Sequence, residues 1–210
     1  MAGKYPSCTE YWLNTENMTF RGEFEAMYRD IEDPWSCANL VDSLNNRLFL
    51  EILFHEREFE RILDVGCGLG TFTQRVKERQ PGARVSACDI SATAVRKAIV
   101  AYPEIDFFVL DILKEEISGQ YDLVILSEVL WYILENVGEV FAKIHNALRP
   151  HGILAIHQYF PDEQRFGVEI IHGAGGFDSF IKAHTSFQYE RKIYSFGKWK
   201  GKVLLATLKK

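Results

Sequence analysis

The stretch Arg61-Ile-Leu-Asp-Val-Gly-Cys-Gly-Leu-Gly70 decides the fold. Arg61 to Val65 is a short apolar run that reads as a buried strand. It passes straight into Gly66, Gly68 and Gly70, and then into a helical pattern from Thr71 to Gln80 that Pro81-Gly82 stops. Glycine at such a turn lets the backbone reverse sharply and approach a ligand closely. Asp64 sits at the carboxyl end of the strand, where open α/β sheets bind ligands. A bare connecting turn accounts poorly for three alternating glycines behind an acidic residue. The turn does not choose the ligand by itself. A dinucleotide fingerprint would want glycine at position 71, where this chain has Thr71.

Downstream of this turn, strands and helices alternate. Arg84 to Asp89, Ile105 to Leu110, Tyr121 to Leu126 and Ile153 to Tyr159 read as strands. Ser91 caps a helix to about Ala101, with Pro103 just beyond it. Leu134, Val137, Phe141, Ile144 and Leu148 mark a further helix, stopped by Pro150. Such alternation predicts a doubly wound parallel α/β sheet. The tail differs. His184 to Tyr194 and Val203 to Leu208 read as two strands joined by Gly197 to Gly201, a connection too short for a parallel crossover. The expected sheet therefore has seven strands, mostly parallel, with an antiparallel C-terminal hairpin.

Upstream, Phe20, Phe24, Met27, Tyr28 and Ile31 predict an amphipathic helix that Asp33-Pro34 ends. A second helix is expected from Ser36, as N-cap, to Glu56, with Leu40, Leu44, Leu48 and Ile52 on one stripe. The 210 residues, at roughly 150 per domain, favour one domain. Residues 1–59 are expected to form a helical cap and residues 60–210 the α/β core of that single domain. His172-Gly-Ala-Gly-Gly176 reads as a mobile loop near the site of a second, acceptor molecule or as a plain connecting loop.

The composition narrows the function classes. The chain has 24 Lys plus Arg against 29 Asp plus Glu, a formal net charge of −5. That balance argues against a nucleic-acid surface. The basic residues of the tail (Arg191, Lys192, Lys198, Lys200, Lys202, Lys209 and Lys210) are interleaved with apolar ones and fit a solvated strand face. The four cysteines, Cys8, Cys37, Cys67 and Cys88, show no zinc-ligand spacing and make no disulfide framework in a chain of this length, so a reducing compartment is expected. The fifth strand offers His157-Gln158 where a metal-assisted mechanism would want a carboxylate cluster, so no metal is expected. The opening MAGKYPSCTE is not a secretory signal, and the longest strongly apolar stretch, Val129 to Leu134, is far short of a membrane span. A soluble, cytoplasmic protein with no membrane or nucleic-acid partner is the expectation.

The pattern D-x-G-x-G-x-G, Asp64 to Gly70, resembles motif I of the class I S-adenosylmethionine-dependent methyltransferases. The resemblance runs from about residue 60 to the end of the chain. It implies a Rossmann-like fold, S-adenosylmethionine as cofactor and S-adenosylhomocysteine as product. It also implies that Asp64, Gly66, Cys67, Gly68 and Gly70 form the cofactor turn. Asp89 would meet the ribose hydroxyls and Ile90 one adenine face. Asp111 and Ile112 would meet the adenine edge and ring, and Ser127 and Glu128 would flank the methionine part and the substrate. Two shorter segments, YRDIEDPW (Tyr28 to Trp35) and SEVLWYIL (Ser127 to Leu134), resemble the nodulation-type N-methyltransferases, with Trp131 where that group has its first tyrosine. This likeness implies a small-molecule acceptor, an amine or hydroxyl, on a substrate that is sugar-derived in that group.

Methyl transfer from a sulfonium is an in-line displacement, and the acceptor must also lose a proton. Glu128, His157 and Tyr159 are the candidate catalytic groups; a structural, hydrogen-bonded histidine is the alternative for His157. Trp35, Trp131 and Tyr132 are candidates to line the acceptor pocket, with core packing the alternative for the last two. Tyr11, Trp12, Asp33, Pro34 and Trp35 suggest, by analogy with this fold, that the N-terminal segment is a lid over the cofactor crevice; helices simply packed on the sheet are the alternative. An NAD-type oxidoreductase and a non-catalytic cofactor-binding or regulatory module are the competing readings.

Overall fold

Alternating residues of the decisive strand face opposite sides, and each side acquires its own layer of helices. The computed structural model describes residues 3–196 and 200–210. In chain order the N-terminal segment contains α1 (Cys8–Trp12), a short hairpin of β1 (Leu13–Asn14) and β2 (Thr19–Phe20), α2 (Phe24–Asp30), α3 (Cys37–Leu40) and α4 (Leu44–Phe54). The remainder contains β3 (Arg61–Val65), α5 (Thr71–Arg79), β4 (Arg84–Asp89), α6 (Ala92–Ala101), β5 (Asp106–Val109) and β6 (Tyr121–Ser127). It continues with α7 (Val137–Ala147), β7 (Leu148–Pro161), α8 (Gly173–His184), β8 (Gln188–Ser195) and β9 (Gly201–Lys209).

The seven-stranded sheet has the order β5-β4-β3-β6-β7-β9-β8. Strands β3 to β7 are parallel, whereas β9 pairs antiparallel with both β7 and β8. Leu63 and Val65 pack with α7 and α8, while Ile62 packs with α4, α5 and α6. This is the period-two alternation of a strand covered on both faces. Because β3 has β4 on one side and β6 on the other, the chain reverses direction across the sheet at the glycine turn. A crevice opens at such a switch point, outside the carboxyl ends of the strands. Of the connection read as Gly197 to Gly201, residues 197–199 lie outside the described residues.

The N-terminal segment departs most from its periodicity. Phe20 belongs to β2, and the helix begins only at Phe24 after Gly22. The expected helix from Ser36 to Glu56 is two helices. Ser36 adopts a left-handed conformation with φ 54° and does not cap α3. Asp33 does so instead, its carboxylate accepting from the amides of Cys37 (2.9 Å) and Ala38 (3.0 Å). Ser43 caps α4. The stripe fails for the same reason: Leu40 and Leu44 are 54% and 61% exposed, and Phe49, Leu50 and Leu53 are buried with Ile52. The break rotates α4 relative to an unbroken helix, so the i, i+4 count from Leu40 no longer marks one face.

His172 to Gly176 is neither a mobile loop nor a plain connection: it forms the start of α8. Ala174, Phe177 and Ile181 bury one face of that helix against β7 and α7. This packing outweighs the low helix propensity of three glycines. His184 ends α8, so β8 starts at Gln188 rather than at His184.

Candidate active site

A cavity of about 650 Å³ lies over the carboxyl ends of β3, β4 and β6. Its floor includes Asp64 to Gly68, Cys88 to Ile90, Leu110 to Leu113 and Ser127 to Val129. Its roof comes from the N-terminal segment: Phe20, Phe24, Tyr28, Trp35 and residues around Leu40 to Asn46. Among the described lining residues there is no Lys or Arg, while Asp64, Asp89, Asp111 and Glu128 all contribute.

The glycine turn is shaped by its own amides. Gly66 N (2.8 Å) and Cys67 N (3.0 Å) donate to the carbonyl of Cys88, and Gly68 N donates to Asp89 Oδ2 (2.8 Å). Gly66 and Gly68 have φ of +76° and +55°, a region that favours glycine. A Cβ on Gly66 would lie 2.5 Å from Val129 Cγ2, and one on Gly68 2.6 Å from Tyr28 Oη. Gly70 lies outside the lining. It is the left-handed residue that starts α5, packed so closely on Phe107 that a Cβ would lie 2.7 Å from that ring.

Asp64 is 2% exposed and accepts a 2.6 Å hydrogen bond from Thr73 Oγ1. Burial pushes its pKa up to about 7, against the pull of the Thr73 hydroxyl and with help from the nearby Asp89 charge. Asp89 accepts from Gly68 N and, at Oδ1, from Ser91 N (2.9 Å). Burial raises it too, and the two amides oppose the rise. Ile90, 43% exposed, lines the cavity between Asp89 and Ser91. Asp111 accepts from Leu113 N (3.1 Å) and pairs with Lys114 (2.8 Å). Ile112 is buried, and its carbonyl accepts from Lys143 Nζ (2.9 Å).

At the other end of the cavity, Ser127 pairs in register with His157 across β6 and β7. Glu128 N donates to the His157 carbonyl (2.8 Å), which holds Glu128 in the left-handed region at φ +58°. A non-glycine residue there is strained, a feature concentrated at functional sites. The bend directs its carboxylate to Tyr159 N (3.1 Å) and Gln158 Nε2 (3.1 Å), with His157 Nε2 at 3.6 Å. His157 Nδ1 lies 3.2 Å from Ser127 Oγ, and its ring packs against Phe49 with centroids 5.4 Å apart. Burial drives the two groups in opposite senses. Glu128 is raised to about 7, partly offset by the Tyr159 amide, and His157 is lowered to about 4. Glu128 keeps 44% of its side-chain surface open, on the cavity it lines. His157 is neutral near pH 7.

The remaining candidates divide. Tyr159 lines the cavity, yet its phenol donates to the Lys200 carbonyl (2.8 Å), so only its amide meets Glu128. Tyr132 lines the cavity and sits edge-on to Trp12 and Phe24 at 5.1 and 5.0 Å. Trp35 lines it and donates to Tyr28 Oη (3.0 Å). Trp131 does not line it. Its ring packs on Phe160 at 5.4 Å and its Nε1 donates to the Tyr159 carbonyl (3.2 Å). Of the other lid residues, Tyr11 is fully buried with Phe24, Met27 and Tyr28.

Three site residues escaped sequence reasoning in these roles. Tyr28 reads as a helix-stripe member and as the first residue of the YRDIEDPW segment, with no role at the glycine turn assigned to it; Thr73 reads as a helix residue and Gln158 as a strand residue. Among the described residues no group of three or more His, Cys, Asp or Glu is placed to hold a metal, and no helix is long and apolar enough to cross a membrane.

Residues 63–154 match the family model of a methyltransferase domain. The chain is 35% identical over 100 residues to a malonyl-[acyl-carrier protein] O-methyltransferase of Acetivibrio thermocellus, an alignment covering 47% of this chain and 35% of that protein. It is 26% identical over 140 residues to nodulation protein S of Sinorhizobium fredii, covering 64% of this chain and 63% of the relative. The chain thus spans about a third of the length of the first relative and under two thirds of the second. Among solved structures, the N-methyltransferase NodS of Bradyrhizobium japonicum in complex with S-adenosylhomocysteine shares the fold. Its TM-score is 0.72 at 19% identity, over 85% of this chain and 92% of that one. By domain match, motif and fold together, the chain resembles the class I S-adenosylmethionine-dependent methyltransferases, with NodS among the members it is similar to.

Proposed function

We propose that the protein is an S-adenosylmethionine-dependent methyltransferase whose acceptor is an amine of a small molecule. The observation that carries this reading is the chemistry of one cavity. A glycine turn and a buried carboxylate occupy one end, a poised carboxylate occupies the other, and no described cation lies between them. The residues fit the cofactor. The cavity volume is in the range of small-molecule sites. Asp89 has lone pairs left after two amide bonds and suits the ribose hydroxyls. Ile90, Asp111 and Ile112 suit the adenine, and Asp64 with Gly66, Cys67 and Gly68 suits the methionine part. When bound, the cofactor supplies a methyl group on a sulfonium. This chain's residues bind, orient, exclude water and take up the acceptor's proton.

Glu128 is the proposed base. An amine arrives protonated near neutral pH, and a carboxylate attracts it, orients it and accepts its proton. His157, neutral and hydrogen-bonded to Ser127, is proposed to hold the Glu128 side chain in place. The lining disfavours an anionic acceptor such as a malonyl group, which would meet the Glu128 carboxylate and no described Lys or Arg. Residues 1–59 are proposed to serve as the cover of residues 60–210 within one domain. Four free cysteines, Cys88 among them buried, are consistent with a reducing, cytoplasmic setting.

Calorimetric titration with S-adenosylmethionine, S-adenosylhomocysteine and NAD tests the cofactor, and mass-based screening of amines, alcohols and carboxylates tests the acceptor. Binding of the first two ligands and turnover of amines are expected. Tight NAD binding without either adenosyl ligand would overturn the reading, and turnover confined to carboxylates would overturn the acceptor class.

A further inference from the structure

We propose that Glu25, which does not line the cavity, is a positioning residue for cofactor binding: from α2 it holds the Asp89–Ser91 turn in its ligand-reading shape. The inference rests on the cofactor reading above. Glu25 Oε2 accepts from Ser91 Oγ (2.8 Å) and Thr93 N (3.0 Å), and its Oε1 accepts from Thr93 Oγ1 (2.6 Å). These bonds join residues 66 and 68 positions apart in the chain. They reach the one segment in which Ser91 N donates to Asp89 Oδ1 and Ser91 Oγ accepts from Ala94 N (3.1 Å). Ile90, exposed to the cavity, stands between the two anchored residues. Fixing Ser91 from outside therefore fixes both the carboxylate before Ile90 and the apolar face that Ile90 presents.

Glu25 has the charge state this role needs. Burial opposes its ionisation, but the Thr93 hydroxyl and amide and the Ser91 hydroxyl outweigh that cost and hold its pKa near 2. Arg96 lies at the periphery, 3.9 Å away. The same helix reaches the other cofactor loop. Tyr28, one turn on from Glu25 and on the same side of α2, sets its Oη beside Gly68, and its carbonyl accepts from Lys97 Nζ (2.9 Å). One short helix of the roof thereby grips both loops that form the cofactor end of the cavity. A residue that merely capped α6 would affect stability alone. A residue that positions Asp89 and Ile90 changes cofactor affinity while leaving the acceptor end untouched.

The test uses the full chain and the variants Glu25→Ala, Glu25→Gln and Thr93→Val, the last removing a donor from the opposite side. Dissociation constants for S-adenosylhomocysteine, KM for cofactor and acceptor, kcat at saturation and unliganded Tm are measured for each. Glu25→Ala is expected to weaken S-adenosylhomocysteine about tenfold, a change of about 1.4 kcal/mol, with Glu25→Gln and Thr93→Val intermediate. The cofactor KM rises in step, while the acceptor KM and saturated kcat stay within about twofold of wild type. Unchanged cofactor affinity in the alanine and valine variants, with only Tm lowered, overturns the inference while the cofactor reading stands. Failure of the wild type to bind either adenosyl ligand overturns both. If Glu25→Ala does not fold, the Thr93→Val comparison decides.

Discussion

Gly68→Ala tests how the roof and the cofactor turn are fitted together. The substitution carries two costs. Gly68 has φ +55°, and an L-residue held in that region costs roughly 1–2 kcal/mol. The added Cβ also falls 2.6 Å from Tyr28 Oη, so the phenol must retreat by roughly 0.8 Å to reach the 3.4 Å of an ordinary contact. Tyr28 cannot simply swing away. It is 3% exposed and its Oη holds the Trp35 indole at 3.0 Å. Loss of that hydrogen bond adds about 1 kcal/mol, for a total of about 2–3 kcal/mol. Tyr28→Phe removes the clashing oxygen and leaves the ring carbon at 3.6 Å, an ordinary contact. In that background only the backbone cost remains. A four-protein cycle read by urea unfolding should show a coupling of about 1 kcal/mol between positions 28 and 68. Titration with S-adenosylhomocysteine should show weaker binding in Gly68→Ala, partly restored in the double variant. An equal cost of Gly68→Ala in both backgrounds would refute the fitted contact.

Three further outcomes are expected. Asp64 is held near pKa 7 in the fold, against about 3.9 in an unfolded chain, so the native state keeps a proton that the unfolded state releases. Its contribution is full below pH ~4 and is lost as pH rises to about 7; unliganded wild type should lose stability relative to Asp64→Asn between about pH 4 and 7, and parallel curves over that range would contradict the assignment. His157, depressed to about 4, works in the opposite sense, but only between about pH 4 and 6.5. In amine methylation kcat/KM should climb through pH ~7 as Glu128 ionises, and Glu128→Gln should remove that inflection with a loss of about 10²–10⁴-fold in rate; a full-rate glutamine variant would exclude Glu128 as the base. Deleting residues 1–33 removes Phe24, Met27 and Tyr28 from above the site and should abolish cofactor retention and turnover; retention of both would refute the covering role.

The sheet was legible because its signals are local. Arg61 to Val65 has a strand's apolar run, Ser91 a cap's side chain, and Gly197 to Gly201 a hairpin's length, and each governs only its neighbours. The gathering of the strand-end residues was legible for the same reason: in this topology a residue that closes a parallel strand falls at the same edge as the residues closing its neighbours, so Asp64, Asp89 and Ser127 line one cavity without further information. The N-terminal helices were less legible. A single break at Val41–Asp42 rotates the face of α4, and Asp33 rather than Ser36 supplies the cap.

The sequence alone thus determined the α/β sheet with its antiparallel end, the glycine turn and the carboxylates at the strand ends, since these follow from periodicity and from conformations that only certain residues adopt. Tertiary structure decided the rest. It bent Glu128 into the left-handed region through a bond to the His157 carbonyl, 29 residues away. It drew the Tyr159 phenol to Lys200 and sent Trp131 into packing with Phe160. It set Tyr28 over Gly68 and tied Glu25 to Thr93. Each of these depends on which distant donor or ring lies within a few ångströms, and that proximity is created by folding and not by spacing along the chain.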